Sequence, residues 1–473
     1  MQVTRDGGKN WTNVTKNIPK LPPWGTVSNI EPSRYDEGTC YITVDFHQVN
    51  NRDPYVYKTT NYGKTWKSLS ADIPKSVFSY AHCVREDPVR KGLLYLGTEN
   101  ALYVSFNDGA NWLPLQNNFP HAPVHWLTIQ EHFNDLVVGT YGRGIWILDD
   151  ITPLQQLSPE VLKSDTYLFS PRPAYRFQNI TAPWSQRGDP CDGENPPYGA
   201  SINYYLKSSP KEDIKITILD EKGQTIRTIQ GTKKPGINRV WWDLRYEPSK
   251  EAKLRTSPLY APHVRVGQKG WRPLPTRGSR ARILAAPGTY KVKLTIGEQE
   301  FSHKLTVKKD PNSAGSEVDI QTQMKMLLEL RDNMNSGVDM INQIEVIRKQ
   351  IYDLSDLLKE DKSSSPIISL GKELDKKLIS VEENLFQMKL TGRGQDMARW
   401  PSKLISEIAV LVGDIGKSDF PPTTQQVEVH EMFKKQLATY QSQLNELLKQ
   451  DLLAFNNLLK EKNIANIIVI ERQ

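Results

Sequence analysis

The chain has 473 residues, a formal net charge of +7, and 38% hydrophobic and 24% charged residues. This length predicts about three domains, and the composition is that of an ordinary globular protein rather than a disordered or fibrous one. The sequence has no run of 18 apolar residues, so no membrane span is expected, and the region after Met1 lacks the basic and apolar parts of a signal peptide.

A repeated pattern organises the first part of the chain. It reads Ser or Thr, any residue, Asp or Asn, any residue, Gly, two further residues and Trp, and it occurs at residues 4–11, 59–66 and 105–112. The spacing of about 50 residues is typical of one supersecondary unit per repeat. Asp or Asn in a tight turn accepts hydrogen bonds from the amides that follow, and Gly supplies a positive φ. Each copy therefore predicts a β-hairpin turn whose Trp anchors the next strand.

The three copies resemble the BNR/Asp-box repeats of β-propellers of the sialidase, xyloglucanase and sortilin type. Segments 54–66 and 139–150 are also similar to large bacterial exported proteins that are often labelled glycosyl hydrolase or sortilin-like. The resemblance implies a partial β-propeller of about three blades over residues 1–153, with the boxes away from the axial face that binds ligands. The residues that would build the boxes are Asp6, Gly8, Trp11, Asn61, Gly63, Trp66, Asn107, Gly109 and Trp112.

The first box begins at Thr4, which indicates that the chain opens inside a blade. Propellers usually close with four or more blades. We therefore interpret the chain as the C-terminal part of a longer exported protein, periplasmic or secreted, whose missing N-terminal blades are its expected partner. An intact cytoplasmic protein is the alternative.

Residues 154–195 contain several prolines and the turn-rich run 188–193, and they predict a connector that wraps a surface. Residues 196–310 alternate apolar and polar side chains in about seven short runs, which predicts an Ig-like β-sandwich. Their motif order resembles the Ig-like domain of flagellar hook-capping proteins. The insertion 247–282 is basic and contains Trp271, so it could hold nucleic acid or an anionic glycan. The favoured interpretation is a solvated loop over a sheet edge, and no nucleic-acid partner is expected.

From residue 316 the apolar period changes from two to 3.6, which predicts helices to about residue 465. A long first helix ends before the break at 363–366, and a second stops near 391–394. A shorter helix follows through Leu404 and Leu411, and a long last helix starts after Pro421 with Thr423 or Thr424 as its cap. Four apolar stripes predict an antiparallel bundle. Pairing of these stripes with a second chain is the alternative.

Catalytic signatures are scarce. The sequence has no GxSxG, HExxH or phosphate-loop motif. Its N-terminal histidines lack the spacing of metal ligands, so neither a metal nor a cofactor is predicted. The carboxylates of the same region show no paired spacing, and the adjacent Asp149 and Asp150 are interpreted as caps of a turn. The histidines are His47, His82, His121 and His125, and the other carboxylates are Asp36, Glu37, Asp45, Asp53, Glu86 and Asp87.

The best binding candidates are Tyr141, Arg143, His47 and Asp53. The glycines of loop 140–144 let a ligand approach the backbone, and Arg143 could meet an anion. The favoured interpretation of Arg143 is nevertheless structural, namely that it pairs with an acidic neighbour such as Asp149 or Asp150.

The cysteines form neither a disulfide framework nor a zinc pattern. Cys40 and Cys83 are interpreted as core residues, with a bridge between them as the alternative, and the pairing of Cys191 is open.

The sequence thus favours an exported binding or scaffold protein that recognises protein or glycan and is not catalytic in this fragment. The alternative is a glycoside hydrolase whose site the missing blades complete. Asp-box propellers host both functions, so the fold cannot separate them. Two carboxyl groups about 5 to 9.5 Å apart in an axial cleft would favour the hydrolase.

Overall fold

The computed structural model describes residues 1–178, 193–275, 280–391 and 396–468. Over these residues the chain is a mixed β and α protein, with antiparallel sheets up to Lys309 and helices in the C-terminal part. Among the described helices, none is both long and apolar enough to cross a membrane.

Four small sheets follow one another along the N-terminal part, and their strands pair antiparallel in chain order. The first sheet is β1 (Gln2–Val3) and β2 (Thr12–Asn13). The second is β3 (Thr26–Pro32), β4 (Cys40–Asp45), β5 (Tyr55–Thr59) and β6 (Lys67–Ser68). The third is β7 (Ala81–Glu86), β8 (Leu94–Thr98), β9 (Leu102–Ser105) and β10 (Leu113–Pro114). The fourth is β11 (Val124–Gln130), β12 (Asp135–Thr140) and β13 (Ile145–Leu148).

Strand β8 is apolar on both faces because it lies between two cores. Leu94 and Leu96 pack in a core with Val56 of the preceding sheet. Tyr95 packs in a second core with Val124 of the following sheet. The sheets therefore stack face to face, with the first strands β3, β7 and β11 next to one another.

The outer face of the fourth sheet is apolar and uncovered. Trp126, Ile145 and Ile147 are all more than half exposed. They lie on one face because Trp126 and Ile145 both pair with Gly139 of the middle strand. The guanidinium of Arg85 lies 4.5 Å from the centre of the Trp126 ring, whereas Ile145 and Ile147 are 74% and 58% exposed.

The repeated turns share one set of hydrogen bonds. In the second copy, Thr59 Oγ1 accepts from the backbone N–H of Gly63 at 2.9 Å, and Asn61 Oδ1 accepts from that of Thr65 at 2.9 Å. The first and third copies make the same two bonds at equivalent positions. Trp66 and Trp112 are buried, whereas Trp11 is exposed. Each of the three motifs therefore forms a hairpin turn, but only two of the tryptophans act as core anchors.

Gly63→Ala is expected to destabilise the protein by about 1–3 kcal/mol more than Gly142→Ala. Both glycines have a positive φ, +79° and +80°, so both substitutions carry the same backbone strain. A Cβ on Gly63 would lie 2.9 Å from a methyl group of the buried Val14, whereas one on Gly142 would meet no atom within 4 Å. Urea unfolding of the two variants measures the difference. Equal stabilities would contradict the packing of this turn on the preceding sheet.

Two further sheets share one apolar core. One is formed by β14 (Thr166–Leu168), β16 (Ala200–Leu206) and β19 (Gly236–Trp242). The other is formed, in spatial order, by β15 (Ala174–Arg176), β21 (Gln299–Lys309), β20 (Gly288–Ile296), β17 (Ile214–Leu219) and β18 (Thr225–Gln230). Alternate residues of both sheets, among them Ile202, Trp242 and Val292, fill the space between them.

The segment predicted as a surface connector takes part in these sheets. Residues 154–195 include most of α1 (Thr152–Gln156), α2 (Pro159–Lys163) and strands β14 and β15. Leu168 and Ala174 of these strands lie in the shared core. The expectation that this segment only wraps a surface was therefore wrong. The short helices and strands of this segment were not predicted, because the prolines between them interrupt the apolar pattern of the sequence.

The C-terminal part is helical, as predicted. The helices are α3 (Glu317–Leu358), α4 (Ser365–Leu385), α5 (Asp396–Arg399), α6 (Leu404–Ile415), α7 (Thr424–Lys449) and α8 (Asp451–Glu461). Thr423 caps α7 in a capping box with Gln426. The second helix ends at Leu385, earlier than predicted, and the last predicted helix is interrupted at Gln450.

The basic insertion 247–282 packs against α3, so its interpretation as a solvated loop over a sheet edge was wrong. Leu254 and Ala281 belong to the core of the helical part. The buried Glu345 accepts hydrogen bonds from the backbone N–H and the hydroxyl of Thr256 at 2.7 and 2.8 Å. The sequence did not predict this contact, because the small apolar residues between the basic ones do not recur at a regular helix or strand spacing. Residues 276–279 of the insertion lie outside the described residues.

A buried aspartate joins the N-terminal sheets to the next pair of sheets. Asp150 accepts from Thr152, as expected for a turn cap, and also from Ser201 and Asn203 of β16. Arg239 donates to the backbone oxygen of Asp150 at 2.7 Å. The favoured interpretation that Arg143 pairs with Asp149 or Asp150 was therefore wrong for Asp150, since the carboxylate of Asp150 binds residues of this junction.

A second buried junction joins β15 to the helices. Arg176 is 2% exposed and forms an ion pair with Asp419, which follows α6. It also donates to the backbone oxygen of Ala285 at 3.0 Å and to the side chain of Gln323 at 3.4 Å. One side chain thus contacts three separate parts of the chain.

Candidate functional site

Polar and aromatic side chains gather at one end of the second, third and fourth sheets. In each of these sheets the first residue of the first strand pairs with the last residue of the second strand: Thr26 with Asp45, Ala81 with Thr98, and Val124 with Thr140. The segments just before each first strand and just after each second strand therefore meet at the same end of the sheets.

Each of these first strands carries a β-bulge at its second or third residue. The pairing register shifts between Val27 and Asn29, between Ala81 and Cys83, and between Val124 and Trp126. A bulge leaves one residue unpaired and turns its side chain to a new direction. The bulged residues are Ser28, His82 and His125. Two histidines are thereby turned toward each other, with stacked rings 4.1 Å apart.

Five rings form a continuous row across this end, which we call the ring row: His47, Tyr80, His82, His125 and Tyr141. Successive ring centroids are 5.0, 5.2, 4.1 and 5.6 Å apart. All contacts are stacked except that between Tyr80 and His82, which is edge-on. The row begins after β4 and ends after β12, so it crosses three sheets.

Two imidazole–carboxylate pairs accompany the ring row. His47 Nδ1 lies 2.5 Å from Asp45 Oδ2, and the backbone N–H of His47 donates to the same carboxylate at 2.8 Å. His82 Nε2 lies 2.8 Å from Glu99 Oε2. The backbone of Glu99 is fixed by donation to the carbonyl oxygen of Tyr80 at 3.1 Å.

Burial controls the charge of two members of the row. Burial, followed by a hydrogen bond to Glu99, raises the pKa of Tyr80 to about 12, so this phenol stays protonated near neutral pH. His125 is exposed overall, but partial desolvation of its ring, followed by the nearby His82, lowers its pKa below the ordinary value. His125 is therefore a neutral imidazole with a free nitrogen lone pair at neutral pH.

The structure places the four predicted binding residues differently. Tyr141 and His47 are the two ends of the ring row. Arg143 lies on the same turn as Tyr141, with its side chain exposed and its backbone oxygen accepting from the Trp146 indole at 2.9 Å. Asp53 lies on the loop after β4.

Asp53 forms an exposed ion pair with Lys75 at 3.1 Å. His121, which the sequence grouped with the other histidines, contacts Gln116 and the backbone of Asn100 instead of the row.

Most of the other carboxylates have structural partners. Asp36 accepts from the backbone of Gly38, and Asp87 accepts from the backbone of Val89 and Arg90. Glu86 is buried and accepts from the backbone of Gly92. Asp45 and Glu99 are the carboxylates that lie beside the ring row.

Sequence reasoning missed Tyr80 and Glu99 and did not join His82 to His125. One feature of the sequence could have indicated this site. Ser28, His82 and His125 each interrupt the alternation of apolar and polar residues in the first strand after a repeated turn. A bulge cannot be read from one strand, because it depends on the register with the partner strand.

The centre of the row has a metal-ligand composition. The ligand atoms of His82, Glu99 and His125 all lie within 4.8 Å of one another. Two imidazoles and one carboxylate form a set that suits zinc and related divalent ions.

The cysteines do not add to the site. Cys40 and Cys83 are free thiols, so the alternative of a bridge between them was wrong. Burial raises the pKa of both thiols to about 12, which leaves them unreactive. Cys191 lies outside the described residues.

No protein-family model and no curated protein matches the sequence. Solved structures match at low similarity. The GH74 enzyme of Niastella koreensis is 12% identical at a TM-score of 0.22, covering 59% of this chain and 46% of the enzyme. An ancestral GH74 enzyme is 10% identical at a TM-score of 0.21, and the match covers 59% of this chain and 36% of that enzyme. The extracellular domain of a putative hybrid two component system from B. thetaiotaomicron is 11% identical at a TM-score of 0.18. This match covers 57% of this chain and 30% of that domain's chain.

The chain therefore spans less than half the length of each of these structures. At such TM-scores the likeness carries no argument about the fold or activity of this chain.

Proposed function

We propose that the N-terminal sheets are blades of a partial Asp-box β-propeller and that the ring row is its carbohydrate-binding surface. The ring row is the observation that carries this proposal. In this interpretation residues 1–153 form the propeller part, 196–310 an Ig-like sandwich with β14 and β15 added to it, and 316–465 a helical bundle.

The stacking of the sheets supports the propeller interpretation. Consecutive sheets of up to four strands, in chain order, with their first strands side by side, are the arrangement of propeller blades. The uncovered apolar face of Trp126, Ile145 and Ile147 is the kind of surface that a further blade would cover. Further blades of a longer, exported protein are therefore its proposed partner.

The chemistry of the ring row supports a sugar ligand. Tyr141 is 74% exposed and stacks on His125, so one of its ring faces is free to contact the C–H face of a sugar. The nearby imidazoles and carboxylates provide donors and acceptors for hydroxyl groups. Arg143 and Asp53 lie at the edge of this surface and are proposed as peripheral contacts.

Tyr141→Ala is expected to weaken binding to a responsive glycan about tenfold, because one exposed stacking ring is lost. The measurement is affinity electrophoresis against plant and host polysaccharides, followed by calorimetry with the best ligand. Tyr260→Ala is the matched control, since Tyr260 is 70% exposed but lies on the insertion 247–282. The proposal fails if no glycan binds, or if both variants lose affinity equally.

Glycoside hydrolysis is the second candidate, favoured by the two carboxylates Asp45 and Glu99 beside the row. The same glycans are incubated with the protein, and released reducing sugar is measured. Turnover that Glu99→Gln or Asp45→Asn abolishes would favour the hydrolase over a binding protein. Binding without release would favour the binding protein.

A further inference from the structure

We propose that the centre of the ring row is a binding site for a divalent transition metal ion, Zn²⁺, held by His82, Glu99 and His125. This inference rests on the geometry of three side chains and does not depend on whether the surface binds carbohydrate.

The distances between the ligand atoms fit one ion after a small adjustment. These atoms lie within 4.8 Å of one another. Ligands of a tetrahedral zinc ion, with bonds of about 2.0–2.2 Å, lie about 3.4 Å apart. His82 Nε2 and Glu99 Oε2 are already 2.8 Å apart, so they need only exchange their mutual hydrogen bond for bonds to the ion. The ligand nitrogen of His125 has to approach the other two ligand atoms by at most about 1.4 Å, the difference between 4.8 and 3.4 Å.

The backbone holds all three ligands in place. His82 and His125 are the bulged residues of β7 and β11, and each is flanked by paired residues of its strand. Glu99 directly follows β8, where its N–H donates to the carbonyl oxygen of Tyr80. The ring of Tyr80 also packs edge-on against His82, with the ring centroids 5.2 Å apart, so this one residue contacts two of the ligands.

The three ligands differ in exposure in a way that leaves one side of the site open. The side chains of His82 and Glu99 are 11% and 22% exposed, and His125 is exposed. Within the described part of the chain, neither ring nitrogen of His125 has a hydrogen-bond partner, so a ligand atom is available at the solvent side. Three protein ligands and an open position are the arrangement of zinc sites that bind a further group.

The test is calorimetric titration of zinc chloride into chelator-treated protein without an affinity tag. We expect one zinc ion per chain, with affinity at least about tenfold weaker in His82→Ala, Glu99→Gln and His125→Ala. His121→Ala is the matched control, because His121 is a surface histidine outside the ring row, and its affinity should equal that of the unmodified chain. Cobalt(II) is the second probe: visible absorption bands of a low-symmetry site should appear with the unmodified chain and disappear with His125→Ala.

Absence of zinc binding in the unmodified chain would overturn the inference. So would an equal loss of affinity in His121→Ala and His125→Ala, since the ion would then bind surface histidines without a defined site. Thermal unfolding without metal shows whether each variant is folded. His125→Ala keeps the test valid if His82→Ala fails to fold, because His125 is exposed and its loss leaves the core intact.

Discussion

Arg348→Ala is expected to lower the free energy of unfolding by about 3–5 kcal/mol. Arg348 is completely buried in α3 and donates to Glu345, Glu382 and Asp375 at 3.0, 2.8 and 2.9 Å. Removing the guanidinium leaves the buried Glu345 and Glu382 and the partly buried Asp375 without the hydrogen-bond donor that they share, and leaves the charge of Glu345 without its cation. Urea unfolding followed by circular dichroism measures the loss.

Lys349→Ala is the control for Arg348→Ala. Lys349 is the next residue of the same helix, and its ion pair with Asp353 is exposed, so its loss should cost less than about 0.5 kcal/mol. If Arg348→Ala lowered the free energy of unfolding by a similarly small amount, this would contradict a stabilising role of Arg348 and its three carboxyl partners.

A second variant tests the charge state of the same cluster. Burial, followed by the nearby Glu345, raises the pKa of Glu382 well above its ordinary value, which favours the protonated form of this carboxyl group. Gln resembles a protonated Glu, and Glu382→Gln should therefore change stability by less than about 1 kcal/mol.

Arg176→Ala is expected to cost a similar amount, about 3–5 kcal/mol, because it leaves the buried Asp419 without its cation. The loss should appear as earlier separation of the helical part from the sheet that contains β15. Thermal unfolding followed by tryptophan fluorescence and circular dichroism measures it. Lys308→Ala is the charge-matched control, since Lys308 lies beside Tyr175 on the adjacent strand with its side chain exposed.

A double-mutant cycle separates the ion pair from simple loss of packing. Arg176→Ala and Asp419→Ala together should cost clearly less than the sum of the two single substitutions, because the second removes the charge that the first leaves unpaired. Additive costs would show that the two side chains do not act as a pair.

The helical part could be predicted from the sequence because its signal is local. Leu330, Ile341 and Ile344 recur at helical spacing and are fully buried in α3. The repeated turns could also be predicted from the sequence, because the hydrogen bonds of Asn61 and Gly63 join residues that are only four positions apart. Strands β14 and β15 were missed because three-residue strands among prolines carry almost no periodicity.

Of the ring row, the sequence singled out only the two end residues as binding candidates. Tyr141 and His47 lie on loops whose composition indicates exposure, and their role in binding stays a prediction. His82 and Glu99 form one pair because β7 and β8 meet in a particular register, and no spacing along the chain encodes that register. Residues brought together by register and bulges become visible only in three dimensions.

The ion pair between Arg176 and Asp419 spans 243 residues of chain. At elongation rates of about 5–20 residues per second, a ribosome needs roughly 10 to 50 s to make the second residue after the first. Strand β15 also waits for β21, its parallel neighbour, which is made much later. The N-terminal sheets can thus fold as they emerge, whereas the core around β15 closes only near the end of translation, and a nascent chain stalled before residue 419 should keep this strand accessible to proteases.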